Sequence, residues 1–252
     1  MTSYMRAAVA EFVATFALVS VSAGAAILYL NGVLDLTGVA LASGLVLAVM
    51  VSVTAHVSGG LMNPAVSISM WVTGRITVDR ATILIGAQVL GAVAGALVLR
   101  ALAPAQAWEA AHGGTPALAD GYAAAKGVMV EAITTFLLVF VAFGAIVDDR
   151  EAFSWAEGPA IGLVLSFGIL AFGPYTGVAM NPARWFGPAL AAGDWSDWYV
   201  WVVGPIAGAV AGAVVYWSVF LRDATGPPRP GGDPRPPDAT GTGAGETPAQ
   251  DR

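Results

Sequence analysis

The chain has 252 residues, of which 57% are hydrophobic and 11% are charged, with a mean hydropathy of +0.72 and a net charge of −6. Soluble domains carry about 25% charged residues, so this composition indicates an integral membrane protein, and the negative charge is not that of a nucleic-acid-binding protein. The lack of cysteine excludes disulfides and thiolate metal sites, and with only two histidines we expect no metal centre and no cofactor.

Six apolar stretches are each about 20 residues long, which is enough to cross a bilayer as a helix. They run approximately over residues 5–30, 37–57, 81–102, 126–147, 159–172 and 198–221. The first has no clear cleavage site, so we expect a retained helix rather than a signal peptide. The fifth is short and can extend back through Trp155. Two stretches carry glycines at intervals that allow close helix packing, namely Gly86, Gly91 and Gly95, and Gly204, Gly208 and Gly212.

The triplet Asn-Pro-Ala occurs twice between these stretches. The copies are Asn63, Pro64 and Ala65, and Asn181, Pro182 and Ala183. Asn caps helices well and Pro suits the first helical position, so each triplet predicts the start of a helix. Residues 63–74 and 181–192 are too short to span a bilayer, so each segment predicts a half-helix within the membrane. One such triplet would be an ordinary helix cap, but two in matched surroundings indicate a function.

The two halves of the chain also repeat each other. Glu11 precedes its Asn-Pro-Ala by 52 residues and Glu131 precedes the second by 50. Each half contains three spans, so the second half must enter the membrane inverted relative to the first. We therefore predict an all-α membrane fold with six transmembrane helices and two re-entrant half-helices, in inverted repeats over about residues 5–102 and 126–221.

In such a repeat the two half-helices meet by their N-termini near the membrane midplane. Each N-terminus carries roughly half a positive charge, so the meeting point obstructs cations and hydronium. We expect the Asn63 and Asn181 amide oxygens to cap their own helices and the NH2 groups to face a passage. Backbone carbonyls before each triplet are expected to line it, from Gly59, Gly60 and Leu61 in one half and Gly177, Val178 and Ala179 in the other.

Basic residues predict the orientation. Eight lie on the side that holds both termini: Arg6, Arg75, Arg80, Arg150, Arg222, Arg229, Arg235 and Arg252. The other side has Arg100, Lys126 and Arg184. Because basic loops stay inside, we expect both termini in the cytoplasm and a multi-pass protein of a plasma or inner membrane. Residues 1–221 form the expected membrane domain, and the proline-rich residues 222–252 a disordered cytoplasmic tail.

The segments around both triplets resemble the aquaporin or major intrinsic protein family. Residues 58–67, Ser-Gly-Gly-Leu-Met-Asn-Pro-Ala-Val-Ser, are similar to its first signature loop, and residues 175–184, Tyr-Thr-Gly-Val-Ala-Met-Asn-Pro-Ala-Arg, to its second. Residues 10–12, 87–89 and 204–208 also match family positions. The resemblance covers about residues 5–221. It implies an hourglass fold, a homotetramer with one pore per subunit, and passive conduction of water or small neutral solutes.

The same resemblance identifies the positions of the family's outer constriction. They are occupied here by Ser43, Ile169, Val178 and Arg184. Water-specific members resemble one another in having Phe and His at the first two positions, so this constriction is predicted to be wider and more apolar on one side. Glycerol facilitators have Asp after the arginine, whereas this chain has Trp185, which either packs behind the pore or enters it. Neither standard subclass fits.

Three further candidate site residues, Glu11, Glu131 and His56, lie in or near the spans. The symmetric placement of Glu11 and Glu131 favours a structural role over a buried proton relay. In that role they accept hydrogen bonds from N–H groups of the half-helices and of the lead-in segments, which are residues 58–62 and 176–180 just before the triplets. His56, near the end of the second span, is either pore-lining support or an interfacial packing residue.

We expect a passive channel and not an enzyme. It should conduct water and small neutral solutes and exclude protons and ions, with a glycerol- or urea-type facilitator of little water specificity as the alternative. A secondary transporter is less favoured, because the midplane groups are neutral amides rather than coupling carboxylates or cations. A purely structural membrane protein would need no conducting constriction.

Overall fold

The computed structural model describes residues 2–148 and 156–222, and these form nine α-helices. The helices are α1 (Ser3–Leu30), α2 (Leu36–Ser58), α3 (Pro64–Val72), α4 (Val78–Leu102), α5 (Ala105–Ala110), α6 (Ala124–Ala142), α7 (Glu157–Thr176), α8 (Pro182–Ala192) and α9 (Val200–Tyr216). Wider π-helical turns continue α6 over Phe143–Val147 and α9 over Trp217–Leu221. Six of these segments are long and apolar enough to cross a membrane, as the sequence predicts.

Local sequence determines where the long helices start. Asp35 caps α2 by accepting the Gly38 N–H at 2.8 Å, and Thr77 caps α4 by accepting the Arg80 N–H at 3.3 Å. Such caps satisfy backbone donors that have no partner within the helix. The six spans are apolar on average, and the helical form satisfies their backbone polar groups by hydrogen bonds within each span.

Each long helix has one face towards the protein and one away from it. On α2 the residues Leu41, Leu45 and Val49 are exposed, each four residues after the last. The neighbouring series Ser43, Leu47 and Val51 is buried. The spacing of four keeps each series on one face of the helix, so the exposed apolar face is suited to lipid or to another subunit.

The long helices pack pairwise through glycines. A Cβ at Gly91 of α4 would overlap the Phe12 carbonyl of α1, and a Cβ at Gly208 of α9 would overlap the Ala132 carbonyl of α6. Phe12 and Ala132 each follow one of the repeated glutamates, so both halves use the same contact. Gly86 does not take the predicted part in this packing, because no atom of the described residues lies within 4 Å of a Cβ built there.

The two half-helices are re-entrant and lie between the long helices. With 9 and 11 residues, α3 and α8 are about 14 and 16 Å long, about half the thickness of the hydrocarbon core. α3 packs against α4 and α9, α8 packs against α4 and α1, and the two half-helices contact each other. The result is the inverted repeat of six spans and two half-helices that the sequence predicts.

The fifth span is longer than predicted. It is α7, which runs from Glu157 to Thr176, because the helix continues through Pro174 to a left-handed cap at Gly177. Between the third and fourth spans the chain forms α5 and a 3-10 turn, His112–Gly114. The predicted extension to Trp155 and the predicted tail from residue 223 lie outside the described residues.

Candidate functional site

The two asparagines cap the half-helices as predicted. The Asn63 Oδ1 accepts the Ala65 N–H at 2.9 Å. The Asn181 Oδ1 accepts the Ala183 N–H at 2.9 Å and the Arg184 N–H at 3.3 Å. Capping identifies the oxygen of each amide, so each NH2 group points away from its own helix.

Each NH2 group bonds to the opposite half of the chain. The Asn63 Nδ2 donates to the Met180 carbonyl at 2.8 Å, and the Asn181 Nδ2 donates to the Met62 carbonyl at 2.8 Å. These two reciprocal bonds hold the half-helix N-termini together. An amide nitrogen carries two hydrogens, so one N–H of each asparagine remains for the cavity that both residues line.

Glu11 supports the segment before the first half-helix. Its carboxylate accepts the N–H groups of Leu61 at 2.9 Å and Met62 at 2.6 Å. It also accepts the Ser58 hydroxyl and the Gln88 amide, each at 2.6 Å. These bonds point the backbone N–H groups away from the lumen, so the carbonyls of the same segment face the other way.

Glu131 does the same in the second half. It accepts the N–H groups of Ala179 at 3.1 Å and Met180 at 2.8 Å, together with the Thr176 hydroxyl at 2.8 Å. Both glutamates are fully buried and their oxygens are engaged with these donors. Their geometry matches the structural role that the sequence suggests rather than a proton relay.

Arg184 lies in the first turn of α8, is 7% exposed, and donates to the Gly114 carbonyl at 3.2 Å. It is also attracted electrostatically by the Glu131 carboxylate. A buried cation within a membrane protein is costly unless such partners compensate it. Its side chain nevertheless lines the cavity, so its charge acts on whatever passes there.

One cavity is lined by both asparagines and by Arg184. Its empty space, including open solvent, is about 640 Å³. The four predicted constriction residues line it, and so do five of the six residues whose carbonyls are expected there, Val178 belonging to both sets: Ser43, Ile169, Val178, Arg184, Gly59, Gly60, Leu61 and Ala179. Much of the remaining wall is aliphatic, including Leu18, Leu47, Val51, Leu138, Ile161 and Leu165.

Gly177, whose carbonyl is expected to line the passage, does not line this cavity, and neither does His56, for which the sequence leaves a pore-lining role and an interfacial packing role open. Gly177 caps α7, and a Cβ built on it would contact Pro116. His56 is exposed on α2. The cavity face of α2 includes Ser43 and Val51, and five residues past Val51 the helix has turned about 140° away from that face.

The structure also places Trp185 behind the pore. It is 2% exposed, stacks on Trp201 with ring centroids 5.9 Å apart, and meets Trp195 edge-on. Trp185 is absent from the cavity wall. Its bulk therefore supports α8 from the side opposite the lumen.

Sequence patterns did not identify three carbonyls of the site. The Met62 and Met180 carbonyls accept from the opposite asparagines, and the only signal was that Met precedes Asn in both copies. The Gly114 carbonyl accepts a hydrogen bond from Arg184. No motif marks this carbonyl, because the 3-10 turn that positions it lies in the connection between the third and fourth spans.

This chain is similar to proteins of known families. The model of the family described as Major intrinsic protein matches residues 1–216. Aquaporin TIP4-4 of Zea mays is 42% identical over 236 residues, 91% of this chain and 92% of that protein. Aquaporin TIP2-1 of Arabidopsis thaliana is 37% identical over 225 residues, 86% of this chain and 88% of that protein.

A solved structure agrees with the sequence relatives. The aquaglyceroporin from Plasmodium falciparum is 25% identical, with a TM-score of 0.76 over 87% of this chain and 98% of that chain. The chain is a multi-pass membrane protein of the major intrinsic protein family, and thus a passive channel for water and small solutes rather than an enzyme.

Proposed function

We propose that this channel conducts both water and small uncharged solutes such as glycerol or urea, and that Ser43, Ile169, Val178 and Arg184 form its selectivity filter. The observation that carries the proposal is that these four side chains line the same cavity as Asn63 and Asn181. Ile169 presents only carbon to the lumen, and Ser43 is small, which leaves room for a solute larger than water. This combination supports a filter that selects by charge more than by size.

The electrostatics of the lumen favour neutral molecules. Two helix N-termini meet at the midplane, and Arg184 adds a full positive charge near one end, so cations and hydronium are repelled. A water molecule between Asn63 and Asn181 accepts hydrogen bonds from both amides. It therefore cannot pass a proton along a continuous chain of donors.

Flux measurements in vesicles test this function. The purified protein in liposomes should pass water and glycerol well above empty vesicles in stopped-flow light scattering, while a trapped pH-sensitive dye reports proton entry near background. Urea is the second solute. Fast water flux with solute flux equal to that of empty vesicles would overturn the proposed solute range, and fast solute flux with little water flux would favour a solute facilitator.

The groups at the midplane also argue against a secondary transporter. Its coupling would require a charged or titrating group at the midplane, whereas the groups there are the amides of Asn63 and Asn181. Glu11 and Glu131 are occupied by backbone donors. Glycerol flux that depends on a proton or sodium gradient would support the transporter, and flux that only follows the glycerol gradient supports the channel.

We further propose a homotetramer in a plasma or inner membrane with both termini in the cytoplasm. The basic loops support the orientation, and the exposed apolar face of α2 supports contact with neighbouring subunits or lipid. Light scattering corrected for detergent should give four times the 25.6 kDa chain mass. We assign the channel to residues 1–221, so a chain ending at Leu221 should retain its water flux.

A further inference from the structure

Ser22 of α1 lines the cavity although no motif marks it. It is 2% exposed and lies four residues, about one helical turn, after Leu18, which lines the same cavity. One face of α1 therefore forms part of the lumen wall. Of the two α1 residues that line the cavity, Ser22 is the polar one.

The level of Ser22 along the lumen follows from its neighbour. A Cβ at Gly114 would overlap the carbonyl of Ala23, so this turn of α1 is packed against Gly114. The Gly114 carbonyl accepts the Arg184 guanidinium at 3.2 Å. Ser22 is thus adjacent in sequence to Ala23, the residue that packs against Gly114, and the Gly114 carbonyl in turn supports Arg184.

The hydroxyl of Ser22 is buried and has no hydrogen-bond partner among the described residues, and the same holds for the hydroxyl of Ser43. Thr15 and Ser20 of α1 also have buried hydroxyls without a partner among the described residues, whereas the Thr54 hydroxyl of α2 donates to the Met50 carbonyl at 2.6 Å. Leaving a buried polar group unpaired costs free energy. Two hydroxyls on the wall of a conducting lumen can instead bond to the molecule that passes.

We propose that Ser22 is a fifth specificity-determining residue of the constriction, and that its hydroxyl and that of Ser43 hydrogen-bond a permeating small polyol. This inference rests on the proposed passage of small solutes. A polyol has adjacent hydroxyl groups along one edge and C–H groups along the other. The two serines suit its polar edge, and Ile169 and Val178 supply the aliphatic wall for its carbon edge.

The chain contains a matched control for this role. Ser20, also on α1, has a buried hydroxyl with no partner among the described residues. It faces α4, where a Cβ at Gly95 would come within 3.0 Å of its hydroxyl, and it does not line the cavity. Ser20 and Ser22 therefore share residue type, helix and lack of partner, and differ in whether they meet the lumen.

Alanine variants measure the hydrogen bond to the solute. In liposomes, Ser22→Ala should lower the ratio of glycerol to water permeability by about fivefold, the change expected for one lost hydrogen bond. Glycerol gives up hydrogen bonds to water when it enters the lumen, and the Ser22 hydroxyl replaces one of them. Ser20→Ala should keep the wild-type ratio. Water flux in the same vesicles reports that each variant is folded. A Ser22→Ala ratio equal to or above that of Ser20→Ala would overturn the proposal.

Cysteine variants test the lumen position independently of glycerol. The chain has no cysteine, so each variant carries a single thiol. Mercuric chloride, small and uncharged, should block water flux through Ser22→Cys, reversibly with added thiol, and leave Ser20→Cys unaffected. Absence of block in Ser22→Cys would overturn the lumen position. If wild type passes no glycerol but Ser22→Cys is blocked, Ser22 lies in the lumen and both the solute range and the polyol role are wrong.

Discussion

The two halves of this chain share one scaffold but differ in what they place on it. In both, a buried glutamate accepts two backbone N–H groups and a hydroxyl. Glu11 has a further donor, the Gln88 amide, which lies three residues before Gly91. In the second half the residue three before the corresponding Gly208 is Pro205, which has no such donor. The first half therefore holds its lead-in segment with an additional hydrogen bond.

The segments before the two triplets differ in backbone strain. Three residues before each asparagine the chain has a positive φ, 61° at Gly60 and 44° at Val178. Glycine tolerates this conformation, whereas for a β-branched residue it costs about 1–3 kcal/mol. Val178 also lines the cavity and belongs to the proposed constriction, so the second half has backbone strain at a residue of the lumen wall.

The third difference concerns charge. Three residues after each asparagine the first half has Val66 and the second half has Arg184, and both line the cavity. Ile169 and Val178 also belong to the second half, and the first half contributes Ser43 and Ser22 to the proposed constriction. The duplicated architecture thus provides the lumen, and residues that differ between the halves provide the selectivity that we propose.

The largest effect is expected where the halves are alike. Glu11→Leu and Glu131→Leu each leave two buried N–H groups unpaired, at about 1–3 kcal/mol per group, so both variants should lose nearly all water flux and fall in Tm. Stopped-flow measurements on equal amounts of reconstituted protein, with thermal unfolding in detergent, check this. If one variant conducts normally, the two carboxylates are not equivalent supports.

The next effect should separate the halves by charge. Arg184→Val removes a cation whose interaction with a unit charge about 4 Å away is about 4 kcal/mol at an effective dielectric of 20, so proton leak should rise by about tenfold or more. Val66→Ala in the first half is the matched control and should leave proton leak unchanged. A pH-sensitive dye trapped in the liposomes reports both. Equal leak in the two variants would mean that the opposed helix N-termini exclude protons without the arginine.

A smaller effect is expected from the size and polarity of the filter. Ser43→Phe combined with Ile169→His adds bulk from one half and a donor from the other. Discrimination in such pockets is worth about 1–3 kcal/mol, so the ratio of glycerol to water flux should fall by about tenfold or more. The same light-scattering assay measures it. An unchanged ratio would show that these two positions do not determine which solutes pass.

The smallest effect on transport should come from the hydrogen bond that only the first half has. Gln88→Leu removes one donor to Glu11 while both backbone donors remain, so it should lower stability by about 1–3 kcal/mol and leave solute ratios unchanged. Thermal unfolding in detergent measures the loss. Gln106→Leu, the same change at an exposed residue of α5, is the control. Equal Tm values for the two variants would remove this difference between the halves.

Much of this architecture could be predicted from sequence because it rests on local rules. Asn before Pro is a local signal for a helix start, as at Asn63 and Asn181, and the similar spacings from Glu11 and Glu131 relate the two halves. Other features depend on which way a helix faces or how a connection turns. His56 lies on the wrong side of α2 for the lumen, and Gly177 faces Pro116.

Residues without a motif were the hardest to assign. Nothing in the sequence distinguishes Ser22 from Ser20, and the difference appears only once α1 is packed against its neighbours. The direction of Trp185 depends on its stack with Trp201, which lies 16 positions further along the chain. The carbonyl of Gly114 is positioned by a turn that hydrophobic periodicity does not report.

The reciprocal amide bonds have a consequence for synthesis of the protein. The Asn63 Nδ2 and the Met180 carbonyl are separated by 117 residues. At about 5–20 residues per second, roughly 6 to 23 seconds pass between the appearance of the two groups. Both reciprocal bonds join the first half of the chain to the second. The first three spans therefore enter the bilayer with only part of the lumen wall. The wall is complete only when the last third of the chain has been inserted.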